Sequence, residues 1–200
     1  MNLLAIDTST RQGSVALLAG DRVLLEENFL ADRLHSSTLF AVLERARAQV
    51  SSIDRVAVGL GPGSYAGVRI AIAAGIGLHL GMGAQLLGLA SVAALEVPEP
   101  AYLAIGDARR ETFYFTDVED GVCREGPLLA TEPELRAHLA VTSLPIYACA
   151  ELPAFPEARL ALPSAKRLAQ LARQERGVLS RGDLEPIYLR EPHITQPKPR

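Results

Sequence analysis

Short aliphatic runs alternate with polar turns along the first half of the chain, and their spacing predicts its elements. Leu3-Leu4-Ala5-Ile6 is a brief apolar strand closed by the polar turn Asp7-Thr8-Ser9-Thr10. Residues 13–19 form a second strand, and Gly20-Asp21 gives a two-residue reversal into a third at 23–29. Three strands joined by tight turns predict an antiparallel meander. A helix is predicted from Ser36 or Ser37, either of which can cap it, to about Val50. Leu39, Val42, Leu43, Ala46 and Val50 recur there on one face, while Glu44, Arg45 and Arg47 lie elsewhere. The β-branched run from Val56 is a buried strand that breaks at Gly61-Pro62-Gly63-Ser64, and from Gly67 the chain resumes as a helix of small residues. A strand at 85–89 and a helix start at Ser91 follow.

Pro98-Glu99-Pro100 is a stiff polar linker after which the pattern restarts. Strands are predicted at 102–105 and 111–116, a reversal at Gly121, a helix from Thr131 through Leu139, a strand at 146–149 and a helix at 164–173. The organisation expected is an N-terminal subdomain of residues 1–98, a smaller C-terminal subdomain of 101–185 and a C-terminal tail at 186–200, whose last ten residues are expected to be loose. Three antiparallel strands followed by helix-linked parallel ones resemble the α/β ribonuclease-H-like fold of the actin-like ATPase (ASKH) group. Two subdomains with mixed sheets are expected, the second shortened. Residues 70–90 are apolar over almost a membrane-spanning length, yet Gly75, Gly77, Gly81, Gly83 and Gly88 favour helix, turn and strand over one long helix. No membrane association is expected, and the chain opens on an apolar strand without a leader pattern.

Composition narrows the chemistry. A hydrophobic content of 48% with 22% charge is that of a folded globular domain. The net charge of −3 argues against a protein that coats nucleic acid by itself. Residues 159–200 nevertheless carry nine Lys/Arg against four Asp/Glu, so Arg173, Arg176, Arg181 and Arg190 are candidates for phosphate contact. Strand, glycine turn and helix start can aim backbone N–H groups at an anion, which makes Gly61, Gly63 and Ser64, with Asp7 and Ser9, a candidate vestigial phosphate or metal–phosphate site. The same residues can equally close tight turns upon themselves. A working catalytic set is hard to assemble. No histidines are paired at ligand spacing, the two cysteines are far apart, and no lysine precedes Lys166, so a Walker A loop is excluded. Asp107 and Glu111 are an available acidic pair. The glycine-turn helix has an unusual surface: Gly67, Ala71 and Gly75 are spaced by four, as are Gly77 and Gly81. Another backbone can approach such a face closely, which predicts an obligate interface.

The combination Leu4-Ala5-Ile6-Asp7-Thr8-Ser9-Thr10, Leu34-His35-Ser36, Gly59 through Ile70, and Asp107-Ala108-Arg109-Arg110 closely resembles the TsaB (YeaZ) family, and Pro186-Ile187-Tyr188-Leu189-Arg190 agrees. The resemblance spans nearly the whole chain in the family's order, although Tyr65-Ala66 stand where the family often has Phe-Thr. It implies a non-catalytic, cytoplasmic subunit of the machinery that forms threonylcarbamoyladenosine beside the anticodon of tRNA. Its implied partners are the TsaD transferase and the TsaE ATPase, with tRNA met through the complex and a homodimer when alone. Catalytic relatives carry a metal-binding H-x-x-x-H, whose positions align here with Ser91 and Leu95. No cofactor is therefore firmly expected, though ATP or ADP at the subunit interface is possible. The family's pairing surface maps to His35, Leu39, Val42, Leu43 and Ala46 of one helix, and to Ile70, Ala71, Ala74, Gly75 and Leu78 of the other. A bulky residue at Gly75 is expected to abolish pairing and leave a folded monomer. Two other readings stay open: a stand-alone ASKH-type phosphotransferase, and an M22-type glycoprotease.

Overall fold

Strand β1 (Asn2–Asp7) is buried on both faces, and that burial organises the first sheet. Successive side chains of a strand point to opposite sides, so Leu4 and Ile6 enter one core while Leu3 and Ala5 enter another. The computed structural model describes residues 1–30 and 35–190, with the backbone alone for His35 and Ser36. Strand β1 pairs antiparallel with β2 (Gln12–Ala19), which pairs antiparallel with β3 (Arg22–Leu30). On its other side β1 runs parallel to β4 (Arg55–Gly59), and β4 parallel to β5 (Gln85–Leu89). This is the predicted meander with parallel strands added.

Helix α1 (His35–Arg47) and helix α2 (Tyr65–Met82) cover one face of this sheet. Helix α1 starts at His35, ahead of both serines expected to cap it, and ends three residues before Val50. The helix expected from Ser91 is only a single 3-10 turn, Ser91–Ala94. Its four residues are all buried between sheets, and Glu96-Val97-Pro98 leaves no room to propagate. Helix α2 has the length and apolarity to cross a membrane. It nevertheless packs Val68, Ala71, Ile72, Ala74 and Gly75 against the sheet, and Gly83, in the left-handed conformation at φ 69°, ends it before β5.

The second sheet is built on β6 (Ala101–Asp107) and β7 (Thr112–Glu119), an antiparallel pair. It is completed by β8 (Val122–Cys123), β9 (Leu128–Thr131), β10 (Ile146–Ala148) and β11 (Arg159–Leu160). Helix α3 (Glu132–Leu139) begins with a capping box in which Thr131 and Glu134 satisfy each other's backbone, and Pro133 sits in its first turn. It places Leu135 against Leu103, Ile105 and Phe155.

The chain then returns to the first sheet. Helix α4 (Ala165–Arg173), capped by Ser164, lays Ala165, Leu168, Ala169, Leu171 and Ala172 across the face opposite α1 and α2. Strand β12 (Val178–Arg181) adds antiparallel to β5, giving the order β12-β5-β4-β1-β2-β3. The range expected for the second subdomain, residues 101–185, contains both, although only the helix was predicted as an element. The apolar stripe of α4 matches Leu3, Ala5, Ala16 and Leu18, which would otherwise lie bare. Residues 187–190, the start of the tail, pack back onto both sheets. The Ile187 N–H donates to the Leu60 carbonyl at 2.8 Å, Ile187 contacts the cores of both sheets, and Tyr188 accepts from Arg69 Nη2 at 2.7 Å. Residues 191–200 of the expected tail lie outside the described residues, as do Leu34 of the Leu-His-Ser motif and His193.

Candidate functional site

The glycine turn and the β1–β2 turn are pressed together, and that contact decides what either can do. The Ser64 N–H donates to the Ser9 carbonyl at 2.6 Å, and Thr8 Oγ1 donates to the Gly67 carbonyl at 2.7 Å. A Cβ placed on Gly63 would stand 2.2 Å from the Ser9 carbonyl oxygen, and one on Gly67 would stand 1.9 Å from that of Thr8. These glycines admit the chain's own backbone where a phosphate oxygen would otherwise approach. Two further N–H groups of the turn are used locally. Ser64 Oγ accepts the Gly67 N–H, and the buried Ser91 Oγ accepts the Gly61 N–H at 2.9 Å. Of the two positions aligned with metal-binding histidines, Ser91 therefore anchors the turn, while Leu95 is buried in the core beside the second sheet.

Asp7 lies beneath this contact and is 1% exposed. Its Oδ1 accepts from the Ser9 N–H at 2.9 Å and from the Ser9 hydroxyl at 2.7 Å. Its Oδ2 is buried without an aligned donor, beside Gly59, where a Cβ would fall 1.9 Å away. Burial raises the Asp7 pKa above the ordinary carboxylate range, against the lowering effect of the Ser91 and Ser9 hydroxyls and the Ser9 N–H. Among the described residues no three His, Cys, Asp or Glu side chains converge on a common point. Asp7 and Ser9 thus meet Gly61, Gly63 and Ser64 in one junction between the two turns.

The raised pKa has a consequence for stability. A carboxyl that ionises less readily when folded binds its proton more tightly there, so its contribution to stability falls as pH rises from the unfolded value through the folded one. Ionised Asp7 is then a cost at neutral pH. The Asp7→Asn protein is expected to keep the Ser9 contacts through its amide oxygen and to equal or exceed the wild type by about 1 kcal/mol. Denaturant midpoints compared across acid and neutral pH check this, and the advantage should vanish at low pH. A loss of stability at neutral pH would show instead that the charge is needed.

Helix α2 carries the more open feature. Its buried arc includes Ala71, Ala74 and Gly75, and a Cβ on Gly75 would meet Val58 Cγ2 at 2.8 Å. Leu39, Val42, Leu43 and Ala46 of α1 are also core residues, at 7% exposure or less, and Ile70 and Leu78 pack at the core's margin. Most of the residues expected at a partner surface therefore face the chain's own sheet. The physical reason is that each helix has one apolar arc long enough to cover β1, β2 and β4, and the sheet takes it. His35 opens α1, and its side chain lies outside the described residues.

On the opposite arc of α2 the sequence spacing marks Gly77 and Gly81, but not the apolar residues beside them. Arg69, Ala73, Ile76, Gly77 and Leu80 are exposed there, Leu80 at 78% and Ile76 at 39%. Gly77 and Gly81 have open space where a Cβ would go, and with Ala73 they form a small-residue row spaced by four. Phe40, 52% exposed, is an unburied aromatic of α1. Plotting α2 at 3.6 residues per turn about Val68, Ala71, Ile72 and Gly75 would have separated the arcs. The cations of the basic end are mostly engaged: Arg173 pairs with Asp21, Arg176 with Asp120 at 3.5 Å and Arg181 with Glu175.

Comparison with known proteins agrees with this architecture. Residues 29–126 match the family described as TsaD, tRNA N6-adenosine threonylcarbamoyltransferase. The chain is 29% identical to the tRNA threonylcarbamoyladenosine biosynthesis protein TsaB of Haemophilus influenzae, covering 95% of this chain and 94% of that one. It is 30% identical to an uncharacterized protein of Mycobacterium tuberculosis, over 95% and 92% of the two chains. A solved structure described as an uncharacterized protein with similarity to peptidase YeaZ, from Pseudomonas aeruginosa, superposes with a TM-score of 0.72 at 27% identity, covering 94% of this chain and 99% of that one.

Proposed function

The chain belongs to the TsaB (YeaZ) family of tRNA threonylcarbamoyladenosine biosynthesis proteins, and from that premise we propose that it is a non-catalytic, cytoplasmic subunit. It pairs with a TsaD-type transferase that works with a TsaE-type ATPase, and it meets tRNA through them. The observation that carries this reading is the contrast between its two candidate surfaces. The glycine turn is closed on the β1–β2 turn by hydrogen bonds, whereas α2 presents an exposed arc of small and apolar residues. Burying Leu80 against a partner is worth about 1.5–3 kcal/mol, with a smaller share from Ile76, which is already more than half covered, and Ala73, Gly77 and Gly81 let the partner backbone come close.

A transferase of the same fold class is a natural partner for this arc, because the match to the TsaD family covers both α1 and α2. A second copy of this chain occupies it in the partner's absence. The peptidase description of the Pseudomonas relative finds little to support it here, since Ser91 and Leu95 have structural roles. The test is reconstitution of tRNA modification from purified transferase and ATPase, with and without this chain. The chain alone should modify nothing, and its omission should lower the yield of modified adenosine by about two orders of magnitude, the scale of a lost activating contact of ~3 kcal/mol. Full yield without it would overturn the proposal.

A further inference from the structure

The motif Asp107-Ala108-Arg109-Arg110 takes no part in the surfaces described above, and it forms the turn between β6 and β7. Three consecutive residues there hold positive φ: Arg109 at 66°, Arg110 at 54° and Glu111 at 58°. Residues with side chains avoid this region, and a run of three is kept only where neighbouring bonds fix it. Such bonds are present. The Arg109 N–H donates to Asp107 Oδ1 at 2.6 Å, Thr112 Oγ1 donates to the Arg109 carbonyl at 2.8 Å, and the Ala108 N–H donates to the Thr112 carbonyl at 2.9 Å.

The result is a rigid tip that holds two guanidiniums in solvent. The Arg109 side chain is 88% exposed, and among the described residues its charge is met by Asp107 alone, at 3.4 Å. Arg110 has neither a hydrogen-bond nor an ion-pair partner among the described residues. A third guanidinium arrives from the segment after β12. Arg190 donates through Nη2 to Thr112 Oγ1, and its buried Nε has no acceptor among the described residues.

We infer that the β6–β7 turn, with Arg109, Arg110 and Arg190, binds a phosphate group. Guanidinium forks match phosphate oxygens two at a time, and successive N–H groups in turn conformations form a concavity that favours anions. Asp107 and Glu111 offset part of the charge, so the site suits a single phosphate group of a nucleotide or of a polynucleotide chain better than a long anionic surface. The site does not depend on the pairing proposed for α2.

The test measures binding of inorganic tripolyphosphate, ATP and a short single-stranded RNA to the full chain at low and at physiological salt. The Arg109→Gly/Arg110→Gly protein removes both guanidiniums and suits the left-handed backbone, so its thermal midpoint should stay level or rise. Its affinity for the bound phosphate probe should fall by about tenfold or more. Tighter binding of RNA than of tripolyphosphate assigns the phosphate to a polynucleotide, and equal binding assigns it to a nucleotide or free phosphate. Failure of the wild type to bind any probe at low salt, or equal affinity in the glycine variant, would overturn the inference.

Discussion

Replacing Gly67 by alanine is expected to lower stability by about 3 kcal/mol, although alanine is the better helix former by roughly 1 kcal/mol. The new Cβ would stand 1.9 Å from the Thr8 carbonyl oxygen, which is backbone and cannot swing aside as a flexible side chain can. Relief requires the β1–β2 turn to separate from the start of α2. That breaks the bond from Thr8 Oγ1 to the Gly67 carbonyl and the bond from the Ser64 N–H to the Ser9 carbonyl. For a chain of this size each kcal/mol moves the thermal midpoint by about 2–4 °C, so a fall of roughly 6–12 °C should be read by calorimetry. A midpoint within about 2 °C of the wild type would show that the two turns are not held in contact.

The second large effect concerns pairing. Gly77→Leu should weaken association, with a second copy or with the transferase, by at least about tenfold, because a leucine on a small-residue row keeps the facing backbone away. The fold should be unharmed. A Cβ at Gly77 meets nothing within 4 Å, and losing a helical glycine is worth roughly 0.5–1 kcal/mol. Gly75→Leu, which the sequence spacing singles out, is the contrasting control. Its side chain would be driven into Val58, so it should unfold the protein before pairing can be read. Sedimentation equilibrium with thermal unfolding of both variants separates the effects. Undiminished association of Gly77→Leu would remove this arc from the interface.

These contrasts show what the sequence could and could not convey. The meander, the strand after α1 and the strand–turn–helix around Gly61 were legible because short continuous apolar runs and glycine turns are local signals. The return of α4 and β12 to the first sheet was not. It depends on which apolar face lies uncovered, a property of the assembled sheet. The glycine spacing on α2 correctly marked a close approach, but spacing alone cannot tell which row meets a partner. Gly67 and Gly75 admit the chain's own backbone and sheet, while Gly77 and Gly81 face open space. Asp7 and Ser9 were grouped with the glycine turn as a candidate phosphate site. That the two loops fill each other's space follows only from distances such as the 2.6 Å between the Ser64 N–H and the Ser9 carbonyl.

The central claim is that this chain contributes to tRNA modification by contact through the exposed arc of α2. The most direct measurement is the rate of threonylcarbamoyl transfer to tRNA by purified transferase and ATPase as wild-type or Gly77→Leu chain is titrated in. Wild type should restore the rate saturably. Gly77→Leu should need at least about tenfold more protein to reach the same rate, as expected for a contact weakened by ~1.4 kcal/mol. Superimposable titrations, or a full rate with neither protein added, would contradict it.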